Sequence, residues 1–185
     1  MTQTAPKIRF NATLFRPATG AEVSWTFLVL PKDASDKLPT RSMQSVEGMF
    51  NGFLFAATLE PDGQGGHWLR VEPELSEAVG ARAGDAITLE ISPVAVEPEP
   101  KVPPDLQEAL DAAIAKARET WSSITPLARR DWIFWIVSGK KAETRVKRIE
   151  VAMSKLSAGN RRPCCFDRSG MYDKSLSCPV AEPVE

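Results

Sequence analysis

EPEPKVPP, residues 97–104, is where this chain changes character. Its four prolines fix φ and remove backbone donors, so neither a helix nor a strand continues through it. Upstream the apolar residues recur with a period of two between turn residues, and downstream they recur every three to four residues. The seam therefore divides the 185 residues into a β-domain over 1–96, a Pro/Glu-rich linker over 97–104 and a helical module over 105–185.

Working back from the seam, Lys7 to Phe15 alternates, and Glu22 to Leu30 carries the β-rich run VSWTFLVL. Both read as strands. Met43–Phe50 and Phe53–Glu60 flank Asn51-Gly52, the pair that best accepts the two positive φ angles of a type I′ turn, so they form a hairpin with Phe50 facing Phe53. After the turn residues Pro61 to Gly66, His67–Val71 is a strand and Pro73–Val79 a short helix ending at Gly80. Gly84-Asp85 then restarts the chain into a strand over Ala86–Val94. Short strands with a single brief helix leave no room for parallel crossovers, which predicts a small, mostly antiparallel split β-barrel and an α+β fold.

Working forward, Asp105 and Glu108 make a D-x-x-E capping pattern, and Leu106, Leu110, Ala113, Ala117, Trp121 and Ile124 share one helical face. Thr125-Pro126 starts a second helix whose DWIFWIVSG segment is apolar nearly all round. A third runs from Lys141 to Ala158, and Gly159 stops it. The expected C-terminal architecture is thus a three-helix module followed by an irregular tail.

With 43% hydrophobic and 25% charged residues the composition is that of a globular protein. Nothing in the opening MTQTAPKIRF resembles a secretory leader, and no stretch approaches the roughly 20 apolar residues that span a bilayer. The expectation is a cytoplasmic protein with no membrane insertion. Cys164, Cys165 and Cys178 are an odd set without framework spacing, which suits thiols in a reducing compartment. The formal charge of −1 conceals an asymmetry, because residues 125–170 hold eleven basic against four acidic side chains. Such a surplus draws anions, or else is balanced by acidic partners within the fold.

VEGMFNGFLFAATLEPDGQGGHWLRV followed by GARAGDAITLEI resembles a bacterial family of unknown function, of the 1905 type, whose domain is a small split β-barrel. TPLARRDWIFWI, KKAETRVKRI and RRPCCFDRSGMYDKSLS resemble the YdeI/OmpD-associated family. That resemblance implies an association with an outer-membrane porin or with bacteriocin protection, and it brings no defining reaction and no catalytic residues. The Gly-Asp-restarted strand is similar to AbrB-like barrels, some of which bind DNA as dimers, a likeness of fold that transfers no activity.

The candidate chemistry is sparse. A nucleophile needs a base within reach and a group to orient it, and His67 is the single histidine. Its place at a strand start reads as a turn-capping or barrel-rim residue. Vicinal Cys164 and Cys165 cannot imitate a C-x₂-C zinc knuckle, so neither a metal nor another cofactor is expected. A redox role for the vicinal pair has a rationale in Arg161, Arg162 and Arg168, which would stabilise thiolates, although a free cysteine also serves as a small buried hydrophobe. The glycines of PDGQGG lead into a strand rather than a helix, which makes them a hairpin loop and not a phosphate cradle.

The donor-rich tail is the segment most suggestive of a ligand. Arg145, Arg148, Arg162, Arg168, Tyr172 and Lys174 could clamp a carboxylate or phosphate near the junction of the two domains. The competing reading pairs these arginines with Asp131, Glu143, Glu150 and Asp167, so that they only dock the domains. The sequence thus favours a binding or adaptor protein for a small anionic ligand or an acidic protein partner, without enzymatic activity. Nucleic-acid binding through the basic surplus is one alternative and a thiol-dependent enzyme or redox protein another. Unprotected barrel edges would make a dimer.

Overall fold

The computed structural model describes residues 5–19, 22–139, 141–163 and 177–183. They fall into two compact units, one of residues 1–95 with 167–185 and the other of residues 96–166. The first unit contains β1 (Ile8–Thr13), β2 (Thr26–Val29), α1 (Lys32–Asp36), β3 (Gln44–Phe50), β4 (Phe53–Pro61), β5 (His67–Val71), α2 (Pro73–Ala78) and β6 (Ala86–Pro93). Its sheet has the order β1-β6-β3-β4-β5-β2, with every pairing antiparallel. Phe15 and Phe27 exchange backbone hydrogen bonds of 2.8 and 2.9 Å where β1 runs out beside β2, and this bridge nearly closes the barrel.

The alternation in the sequence does what it predicts. Ile8, Phe10, Val46, Phe50, Leu69, Val71, Ile87, Leu89 and Ile91 all point inward into one buried cluster. The hairpin forms at Asn51-Gly52 with φ of 47° and 81°, the left-handed pair a type I′ turn needs, and Phe50 lies opposite Phe53 in the ladder. The phenyl ring nearest Phe50, however, is that of Phe55, edge-on at 5.8 Å. At Gly48 the β3 and β6 backbones approach so closely that a methyl group would run into the Glu90 carbonyl oxygen. Helix α1 has no counterpart among the sequence expectations. Pro31 precedes it, Asp33 stands in its first turn, and Ala34 and Ser35 are buried beneath it.

The second unit holds α3 (Pro104–Ala112), α4 (Ala115–Ser123), α5 (Pro126–Val137) and α6 (Ala142–Ser157). Among the described residues four helices therefore stand where the periodicity predicts three. The apolar stripe from Leu106 to Ile124 is real, but Ala113 and Ile114 are extended, with ψ of 158° and 155°. Straight, that stripe would make a rod of about 30 Å, whereas the 16 residues of α6 measure about 24 Å, so an unbroken helix would overrun its neighbour. The break lets α3 and α4 pack on α6 separately, burying Leu106 and Leu110 on one piece and Ala117 and Thr120 on the other. Neither glycine nor proline marks it.

Helix starts divide the same way. Thr125 caps α5 as its sequence suggests, its hydroxyl accepting from the Ala128 amide at 3.2 Å, with Pro126 at the first helical position. The D-x-x-E pattern does not form a capping box. α3 begins at Pro104, two residues before the start an Asp105 cap would give, which carries Asp105 into the first turn and leaves its carboxylate for Arg145. Residues 177–183 lie along the barrel unit: the Ala18 amide donates to the Val180 carbonyl and the Glu182 amide to that of Arg16, both at 2.8 Å. Among the described residues no helix is long and apolar enough to cross a membrane.

Candidate binding site

The arginines of the helical unit have specific tasks. Helices end with carbonyl oxygens that lack an amide partner, and glycine in the left-handed region is the usual remedy. At the ends of α3 and α4 there is no glycine, and guanidinium groups reach back instead. Arg118 donates to the Asp111 carbonyl at 3.2 Å. Arg129 donates to the carbonyls of Trp121, Ser122 and Ile124 at 3.0, 3.2 and 2.8 Å, and pairs with Glu99 at 2.5 Å. Arg161 donates to the Ser123 carbonyl at 3.0 Å. At the end of α5, Arg148 donates to the Trp135 carbonyl and the Ser138 hydroxyl at 2.5 and 2.8 Å, and lies 5.4 Å from the Trp135 ring centre. A positive charge at a helix C-terminus also opposes the helix dipole favourably.

Of the residues singled out as ligand-binding, Arg145 makes a two-pronged contact with Asp105 at 2.6 and 2.9 Å, which holds the Asp105 carboxyl below its usual range. Arg148 is occupied as just described, and Arg162 is exposed. Arg168, Tyr172 and Lys174, with Cys164 and Cys165, lie outside the described residues. Acidic partners do claim part of the basic surplus, and Asp105, Glu97 and Glu99 are among them. Glu97 and Glu99 belong to the EPEPKVPP seam, so that segment is clamped to the helical unit through Arg130 and Arg129.

His67 is fully buried rather than at a rim. Its Nε2 lies 2.9 Å from the Ser42 carbonyl, which can only accept, so Nε2 carries the proton and Nδ1 accepts from the Ser35 hydroxyl at 2.5 Å. Burial lowers its pKa and keeps it neutral. The arrangement ties α1 to β5 and to the approach to β3. Cys178 is half-buried, and burial together with Asp62 and Glu60 pushes its thiol up to about 11, which leaves it protonated at neutral pH. Among the described residues no group of three or more His, Cys, Asp and Glu is placed to hold a metal ion.

The barrel unit offers a more open arrangement. On the outer face of the sheet Arg9, Glu90, Met49 and Leu54 stand side by side on four successive strands, because Arg9 pairs with Glu90, Glu90 with Met49, and Met49 with Leu54. A hollow of about 660 Å³ opens there, lined by Arg9, Met49, Asn51, Phe53, Val79 and Thr88 among others. A second of about 480 Å³ shares Met49 and Glu90 with it and reaches Lys7, Glu47 and Leu54. Lys7 neutralises Glu90 at 3.1 Å, while Arg9 has no ion pair among the described residues.

The base of the larger hollow is rigid. The Thr88 amide donates to Asn51 Oδ1 at 2.8 Å, the Asn51 amide donates to the Thr88 carbonyl at 2.9 Å, and the Thr88 hydroxyl donates to Asn11 Oδ1 at 2.8 Å. These bonds stitch the hairpin tip to β6 and β1. One guanidinium beside exposed Met49 and Phe53 can receive a small anion that carries an apolar body. Sequence reasoning passed over these residues. The signal was the run FLFAATL, in which apolar residues occupy both faces of a strand that otherwise needs only one buried face.

Two family models match in tandem. The description "Bacteriocin-protection, YdeI or OmpD-Associated" covers residues 99–159, and a domain of unknown function (DUF1905) covers residues 10–91. The chain joins a domain of each family. The DUF1905 match begins within β1, just after Arg9, and ends within β6, so it takes in the hairpin tip with Met49, Asn51 and Phe53, while the YdeI/OmpD-associated match spans all four helices with Arg118, Arg129 and Arg148 and stops before Arg161. No curated protein matches the chain.

Proposed function

We propose that this protein is a binding protein rather than a catalyst, and that the hollow between β1, β6, the β3–β4 hairpin tip and α2 takes a small amphipathic anion. The observation that carries this reading is the position of Arg9, without an ion pair among the described residues, at the edge of a 660 Å³ hollow whose other lining includes Met49, Phe53 and Val79. A carboxylate or phosphate would accept the guanidinium's paired donors, and its chain would cover apolar surface that water now wets. The rigid Asn11–Thr88–Asn51 net supports the site before the ligand arrives, which lowers the entropy cost of binding.

Titration of the full chain with octanoate and with octyl phosphate, followed by amide chemical shifts, tests the reading. The expected result is a response at Arg9, Asn51 and Thr88 that Arg9→Gln weakens about tenfold, which is about 1.4 kcal/mol. A response confined to Lys147 and Arg162 would move the anion site to the helical unit. No response to either probe would remove the reading.

A further inference from the structure

Because the Asn51-Gly52 turn has two residues, Phe50 and Phe53 form a hydrogen-bonded pair. Along β4 the backbones of Phe53, Phe55, Ala57 and Leu59 therefore point at β3, and those of Leu54, Ala56 and Thr58 point the other way. Glu60, the next residue of that second set, is where β5 joins, and β5 pairs only with Glu60 and Pro61 before turning to β2. Among the described residues, no strand pairs with β4 from Phe53 to Leu59 on that side. The open edge is about 20 Å long.

Sheet proteins guard such edges with lysine, proline, a bulge or an inward charge. The run FLFAATL has none of these. Leu54 is 75% exposed and Phe53 47%, and Ala56 is exposed between them and the barrel's closed end. An edge of this kind accepts another extended strand, which supplies the missing backbone partners and covers the apolar side chains.

We infer that the occupant is β4 of a second copy of this chain, joined antiparallel about a two-fold axis at Ala56. Three features select a second copy. That axis sets Ala56 against itself, Leu54 against Thr58 and Phe55 against Ala57, so larger side chains meet smaller ones along its length. Each of Leu54, Ala56 and Thr58 then meets a residue whose amide and carbonyl also face outward, so each pair exchanges both hydrogen bonds. The edge carries no charge from Phe53 to Leu59, and nothing repels an identical strand. The two β1-β6-β3-β4 sheets become one continuous sheet, as a two-fold isologous contact requires. Specific interfaces bury upwards of about 1,000 Å² in total, and one strand pair flanked by Phe53 and Leu54 from both copies lies near that bound, so association is expected on the order of 10 µM.

Sedimentation equilibrium of the full chain up to about 200 µM, alone and with two variants, decides the matter. Leu54→Lys places a charge on the exposed edge, and Ala56→Pro removes an outward amide without touching the β3 ladder. The expected result is a monomer–dimer equilibrium that each variant weakens at least tenfold, with far-UV dichroism unchanged for Leu54→Lys. Arg9→Gln should leave it intact, which separates this inference from the anion site. A monomer at the highest concentration overturns the inference, and so does a dimer that neither variant weakens.

Discussion

The barrel unit reverses direction with backbone conformation, whereas the helical unit finishes α3, α4 and α5 with side chains and leaves a left-handed glycine, Gly159, to α6. In the barrel, Asn51-Gly52 adopts left-handed angles and the chain folds back on itself with its ladder complete. In the helical unit, the breaks after α3 and α4 fall at Ala113-Ile114 and Ile124-Thr125, where the chain simply becomes extended and leaves carbonyls open. Arg118, Arg129 and Arg161 supply the donors from elsewhere in the sequence. A basic surplus that reads as a surface for anions thus includes, in Arg129, Arg148 and Arg161, caps for the protein's own helices. Charge counted along a sequence does not distinguish a donor aimed at a ligand from one aimed at the end of the protein's own helix.

The comparison breaks most sharply at Gly48, where the barrel depends on two backbones in contact. Gly48→Ala should disrupt the β3–β6 ladder beside Glu90 and destabilise the barrel by about 4 kcal/mol or more, as strain that only a backbone shift relieves commonly does. Denaturant unfolding gives the magnitude, and hydrogen exchange resolved by segment should show lost protection in β3 and β6 with little change in α4 and α6. A mild effect would mean that the ladder yields at this point.

The helical counterpart is Arg129→Met, which keeps the apolar stem and removes the donors to three carbonyls. The contacts to Trp121 and Ile124 are partly buried and that to Ser122 is exposed, so the expected cost is about 2 kcal/mol, read as faster exchange in α4 and α5 with the barrel unchanged. Equal loosening of both units would show that the cap does more than finish α4.

These two positions also show what the sequence could and could not convey. The hairpin, the inward faces of the strands and the Thr125-Pro126 helix start rest on local rules, periodicity and turn chemistry, and they were legible from the residues alone. The break at Ala113 was not, because it answers the length of α6, some thirty residues away. Asp105 was misread for a related reason: it has the right residue type for a cap, but Pro104 starts the helix first and Arg145 then claims its carboxylate. The Arg9 hollow was hidden because its residues come from separate strands and only the register brings them together.

A gentler probe of the barrel is pH. Burial pushes the Glu60 carboxyl up to about 7, against an attraction from Arg70 that lowers it. Between its ordinary 4.5 and about 7 the folded chain keeps a proton that the unfolded chain has released, so this group's contribution is lost as pH rises through that window. His67 works in the opposite sense. Burial lowers its pKa below the ordinary 6.5, so the unfolded chain takes up a proton first and stability falls as pH drops below that value. Below pH 6.5 the two slopes oppose each other, so melting temperatures from pH 5 to 8 should fall chiefly between 6.5 and about 7 in the wild type, and removing Glu60 should uncover the limb of His67. Glu60→Gln should flatten the decline toward pH 7 and leave the acid limb. A profile unchanged by Glu60→Gln would place that carboxyl in water.

The smallest effect is expected at Arg145, and it is informative for that reason. Its two-pronged contact with Asp105 has good geometry, yet Asp105 is exposed and Arg145 partly so, and such surface pairs contribute about 1 kcal/mol or less. Arg145→Met should therefore barely move the unfolding midpoint at neutral pH. Asp105, held low by that guanidinium, contributes stability above its ordinary pKa of 3.8 that fades as pH falls through the lowered value, so the small difference from wild type should close in acid. Loss of 3 kcal/mol or more would instead make the Asp105–Arg145 contact the lock between α3 and α6. The helical unit would then depend on a side-chain pair as heavily as the barrel depends on the absence of one at Gly48.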